Sequence, residues 1–110
     1  MRQEQFEKAV NEYLVVVKAN LLSKGKEYAT DADMLANFNK GSNITGEVRE
    51  KVLFGYALKH LVSVIDIIDE IEKGNLPDSY KMTEKLGDLG SYMALLYACI
   101  QDRLNKTRPF

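Results

Sequence analysis

The chain of 110 residues reads as all-α: a small bundle of three long helices and one short helix. Three observations predict this. Apolar residues recur every three to four positions through three long stretches, the spacing that gathers them on one helix face. The breaks between stretches carry residues that end or start helices, among them Gly25, Gly41, Gly74 and Pro77. No stretch alternates polar and apolar residues with the period of two that a half-buried strand requires. At this length the chain is one domain, residues 1–110, with one modest core.

The first helix is expected from residue 3 to about residue 25. Phe6, Val10, Tyr13, Leu14, Val17, Leu21 and Leu22 recur at helical spacing, and Gly25 is placed to cap the end. A connector follows over residues 26–33. Thr30 with Asp33 resembles a capping box, opening a short helix from Asp31 to about Lys40 that Gly41, Ser42 and Asn43 break. Thr45 is expected to cap the next helix, with Glu47 in its positive first turn, and the pattern runs to Lys73. Gly74 then sits where a left-handed cap belongs, and Pro77 prevents continuation. Asp78 or Ser79 caps the last helix, which runs to about Asn105; the terminal residues fray, with Phe110 available to dock. Short connections imply antiparallel neighbours.

The last two long helices differ from the first in being apolar almost all round, the mark of buried helices. In the last, Glu84, Asp88 and Ser91 form one narrow polar line at about 100° per residue. In the third, Lys59, Ser63, Asp66 and Glu70 lie within about 60° of one another. Helices this apolar in so short a chain have few internal partners, so a homodimer or larger assembly through the third and last helices is expected.

Composition excludes several classes. A net charge of −1 makes no electrostatic case for nucleic acid or an anionic membrane. No apolar run reaches the roughly 18 to 20 residues of a membrane span. The polar start, Met1-Arg2-Gln3-Glu4-Gln5, leads into an amphipathic helix and not a signal-peptide core. The single cysteine, Cys99, excludes an internal disulfide, and its apolar neighbours make it a buried, unreactive thiol. These features fit a cytoplasmic protein. No phosphate-binding glycine loop, zinc-type Cys/His set or Ser-His-Asp arrangement is visible.

The chemistry therefore falls to carboxylates. Asp66 and Glu70 are an i,i+4 pair, as are Glu84 and Asp88, so each pair covers one surface spot. Together they offer about four carboxylates to one site. Oxygen-only ligands suit Mg²⁺ or Mn²⁺, and such a metal, shared with substrate phosphates, assists attack of water on a phosphate. The plainer alternative is a solvated acidic face beside Lys59 and Lys73, with Glu84 and Asp88 complementing the helix dipole. His60, the one histidine, is either a structural residue or, with Lys59, a catalytic one. Around the first connector, Glu27, Tyr28, Asp31, Asn37 and Phe38 either cap helices and plug the core or bring Glu27 or Asp31 to a metal and Lys26 or Asn37 to a ligand. Ser63 and Ser91 complete the candidate ligand-binding set. Gly87 and Gly90, with Ala94 and Ala98, make a small-residue face for close helix packing or for a ligand above the acidic line; Gly55 suggests the same.

The segment Glu84-Lys85-Leu86-Gly87-Asp88-Leu89-Gly90-Ser91-Tyr92 resembles the acidic Glu-Glu-Leu-Gly-Asp-Leu-type motif of MazG-like all-α nucleotide pyrophosphatases. A wider set, Lys26-Glu27-Tyr28, Asn37-Phe38, Lys59-His60, Ser63, Asp66 and residues 84–88, is similar to a group of small phage and prophage proteins. The first resemblance implies a Mg²⁺-dependent enzyme that releases pyrophosphate from nucleoside triphosphates, commonly as a dimer or tetramer. By position, Glu84 and Asp88 match its second motif. Lys85 stands where the family's second acidic residue falls, and the first motif, Glu-Glu-x-x-Glu, is matched only loosely by Asp66, Asp69 and Glu70. The alternative expectation is a non-enzymatic phage protein that inhibits a host or defence protein or sequesters a nucleotide.

Overall fold

The computed structural model describes residues 1–28 and 33–107, with the side chains of residues 24–28 and 107 left aside. The architecture is all-α: α1 (Gln3–Tyr28), α2 (Ala36–Thr45), α3 (Arg49–Glu72) and α4 (Ser79–Thr107), with no strand among the described residues.

Several helix ends depart from the sequence expectation. α1 runs through Gly25 to Tyr28. Among the described residues only Gly46 and Gly74 have positive φ, so Gly25 is not a left-handed cap. The short helix begins later than expected and absorbs Gly41, Ser42 and Asn43 instead of stopping there. Its start is organised by Asp33, whose carboxylate accepts the Leu35 N–H at 2.9 Å and the Asn39 amide at 2.7 Å. Gly41 is tolerated for a packing reason: a Cβ there would stand 2.7 Å from Val52 Cγ1, so its absence lets α2 approach α3. Thr45 closes α2 instead of opening α3; its hydroxyl donates to the Gly41 carbonyl and accepts the Glu47 N–H. Gly46, left-handed at φ 75°, is the cap, and Val48 precedes α3. The expected roles of Thr30, Asp31 and Phe110 lie outside the described residues.

The other ends follow expectation closely. The N–H of Gly74 reaches the Ile71 carbonyl and that of Asn75 the Glu70 carbonyl. With Gly74 at φ 88° this is the two-bond Schellman closure. Asp78 caps α4 by accepting the Lys81 N–H at 2.7 Å.

α4 is the central element. It packs against α3 on one side and α1 on the other; α2 lies against α3 and touches α1; α1 and α3 do not meet among the described residues. The core is a small cluster of Leu35, Phe38, Leu53 and Cys99, with Tyr92, Leu95 and Leu96 packed on it. Along α3 the buried apolar positions are Leu53, Ala57, Val64 and Ile67, a single seam at helical spacing facing α4.

The small-residue face of α4 serves close packing. A Cβ at Gly87 would stand 2.7 Å from Val16 Cγ1, and one at Gly90 would overlap the Tyr13 hydroxyl. That hydroxyl donates to the Leu86 carbonyl at 2.6 Å, fastening α1 to α4. Gly55 differs: nothing lies within 4 Å of its Cβ position.

Candidate functional site

His60 falls between Ala57 and Val64 on the seam, so the helical period turns it toward α4. Its ring stacks on Tyr92, with centroids 4.9 Å apart and planes at 24°. Its Nδ1 lies 3.7 Å from Asp88 Oδ2, longer than a hydrogen bond but within ion-pair range. The Asp88 side chain is 13% exposed. His60, Asp88 and Tyr92 thus form one polar group set between two largely apolar helices.

The rest of the acidic line divides. Ser91 is buried and donates to the Gly87 carbonyl at 2.8 Å, a bond internal to α4. Glu84 lies nearer the surface, 3.2 Å from Lys85 Nζ. On α3, Ser63 donates to the Lys59 carbonyl at 3.1 Å, and Lys59 is exposed. Asp66 and Glu70 are also exposed. They border a depression of about 500 Å³ where α3 meets α4, together with Lys73 and Lys81 but without Glu84 or Asp88. Glu70 accepts the Asn75 amide at 2.9 Å and sits 3.6 Å from Lys73 Nζ, so it also helps close the turn.

The four carboxylates therefore do not gather at one point. Asp66 and Glu70 lie roughly 100–140° around α3 from the residues that face α4. Among the described residues, no group of three or more His, Cys, Asp or Glu side chains is arranged to hold a metal ion. Asn37 is exposed on α2. The Lys26 and Glu27 side chains lie outside the described residues.

A second polar cluster escaped the sequence reading. Arg49, 9% exposed at the start of α3, reaches across to the end of α4. Its Nη2 donates to the Cys99 carbonyl at 2.9 Å and to Asp102 at 2.7 Å, and its Nη1 donates to Asn39 at 3.3 Å. Arg103 grips Glu50 with two parallel bonds, 3.0 and 2.8 Å. Hydrogen bonds from Arg103 hold the Glu50 carboxyl below the usual carboxylate range, and those from Arg49 and Lys106 do the same for Asp102. Burial pushes the neighbouring Cys99 thiol up, as its apolar setting in the sequence implied. One signal was available: Arg49-Glu50 and Asp102-Arg103 are adjacent charge pairs written in opposite order. Pairing them requires knowing which helix ends meet.

No described helix is long and apolar enough to cross a membrane. Comparison with known proteins finds no matching family model, no matching curated protein and no matching solved structure.

Proposed function

We propose that the chain binds the phosphates of a nucleoside triphosphate together with Mg²⁺ or Mn²⁺ at the α3–α4 seam, as a MazG-like nucleotide pyrophosphatase would. The observation that carries this reading is Asp88. A carboxylate set between apolar helices costs stability unless it is paired, and this one faces an imidazole held in place by a stacked tyrosine.

The residues present suit a particular kind of metal site. Mg²⁺ commonly takes only one or two protein carboxylates, filling its shell with water and substrate phosphate. Glu84 and Asp88, on successive turns of α4, offer that number. When bound, the ion acts as a Lewis acid on a phosphoryl oxygen. The chain's own part is orientation. Tyr92 fixes the plane of the His60 ring and His60 faces Asp88, while exposed Lys59 lies on the outward stripe of α3 with Asp66 and Glu70.

One observation favours a second reading, binding without turnover. Lys85 lies 3.2 Å from Glu84 and competes with a metal for it. Both readings are tested by incubating the protein with Mg²⁺ or Mn²⁺ and a panel of nucleoside triphosphates. Pyrophosphate release that Asp88→Asn abolishes supports the enzyme. A metal-dependent rise in melting temperature with no product supports the binder. Neither product nor shift overturns both.

A further inference from the structure

We infer that the outer face of α3 is the interface of a homodimer, in which a second copy of this chain packs antiparallel on it about a twofold axis passing near Leu61. This goes beyond the nucleotide reading and does not depend on it.

α3 carries two apolar seams, one residue out of step. The first, Leu53, Ala57, Val64 and Ile67, is buried against α4. The second is Phe54, Leu58, Leu61, Ile65 and Ile68, whose spacing of four, three, four and three is the repeat of a coiled-coil seam. Phe54, Leu58, Ile65 and Ile68 are between 44 and 50% exposed. α2 does not cover this face, because it packs on the other flank of α3, against Val52 and Tyr56. The charged residues Lys59, Asp66 and Glu70 lie on the side away from it. α4 covers the first seam, and the second stays exposed among the described residues.

The chain exposes more surface than a compact monomer of its mass. The accessible surface is 8333 Å², whereas a compact monomer of this mass exposes about 6,200 Å². That surplus belongs to the whole elongated chain, with α1 largely exposed, and the outer face of α3 is one part of it. The radius of gyration, 16.5 Å, exceeds the roughly 13 Å of a compact domain of this length.

The seam identifies its occupant by being complementary to itself. Lys51 continues it at the start of α3 and Glu72 at the end, and both are exposed. Around Leu61 the seam is nearly symmetric in position and opposite in charge. An antiparallel copy therefore sets Phe54 against Ile68, Leu58 against Ile65, Leu61 near its own counterpart, and Lys51 against Glu72 at both ends. A parallel copy sets like charges together, which is unfavourable.

Sedimentation at micromolar concentration tests this, with helical content followed by circular dichroism. The wild-type chain is expected at twice its 12.5 kDa mass. Leu61→Lys, which brings two ammonium groups together on the axis, is expected to give monomer. Lys51→Glu and Glu72→Lys are each expected to weaken the dimer by roughly tenfold, and the double charge exchange to restore it. These two positions are exposed, so the exchange stays decisive if Leu61→Lys fails to fold. A wild-type monomer, a larger oligomer, or a double exchange as weak as either single change overturns the proposal, as does a folded Leu61→Lys protein that remains dimeric.

Discussion

Gly55→Ala and Gly90→Ala are one substitution in two helix interiors, and they are expected to change stability in opposite directions. Alanine is favoured over glycine within a helix by up to about 1 kcal/mol. At Gly55 the new methyl meets nothing within 4 Å, so the protein should gain roughly 0.5–1 kcal/mol. At Gly90 the methyl would overlap the Tyr13 hydroxyl and stand 2.9 Å from Val17 Cγ2. Moving the ring gives up the hydrogen bond to the Leu86 carbonyl, worth about 1 kcal/mol. Val17 is β-branched and cannot simply rotate away, and forced repacking of this kind costs typically about 1–3 kcal/mol. Set against the propensity gain, the net expectation is a loss of about 1–3 kcal/mol. Urea unfolding followed by far-ultraviolet circular dichroism, at one fixed protein concentration, measures both. Tyr13→Phe in the Gly90→Ala background removes the clashing oxygen, so the double variant should be more stable than the summed single effects by on the order of 1 kcal/mol. Close packing of α1 on α4 is refuted if Gly90→Ala is as stable as the wild type, or if the two single losses simply add.

Arg49→Ala should cost about 3 kcal/mol in the same assay, since it strips a buried carbonyl and a carboxylate of charged donors; Arg49→Lys should recover part of this, and a loss below about 0.5 kcal/mol would show the cluster to be idle. Because Glu50 and Asp102 titrate below the usual carboxylate range, their stabilisation is complete above about pH 5 and disappears as pH falls through their folded values. Glu50→Gln with Asp102→Asn should therefore flatten the acid limb of a stability–pH curve, and an unchanged limb contradicts this. Cys99, fully buried, should react with a thiol reagent only as fast as the protein opens, so rapid labelling of the native chain would be inconsistent with the core. His60→Ala should weaken nucleotide binding measured by calorimetry while Ser91→Ala leaves it nearly unchanged, because the serine hydroxyl is already committed to α4.

Legibility differed between elements for identifiable reasons. The α3–α4 turn was readable because Gly74, Pro77 and Asp78 act through bonds only a few residues apart. The α2 boundaries were not. Gly41 looks like a breaker locally, but its missing side chain is what lets α2 approach Val52, and Thr45 bonds backward to the Gly41 carbonyl although threonine is equally suited to capping forward. In the candidate site, the i,i+4 spacing of Glu84 and Asp88 was legible as sequence. Which of them sank into the seam was not, since that depends on the rotation of α4 against α3.

What the chain determines on its own is periodic: helices, their apolar faces, and the polar line on α4, because backbone geometry converts residue spacing directly into angle. What only the tertiary structure decides is pairing. It sets His60 on Tyr92 and beside Asp88, divides the four carboxylates between the seam and the surface, and brings Arg49-Glu50 to Asp102-Arg103. These contacts join residues far apart in sequence, and their partners are chosen by how whole helices pack and not by any local preference.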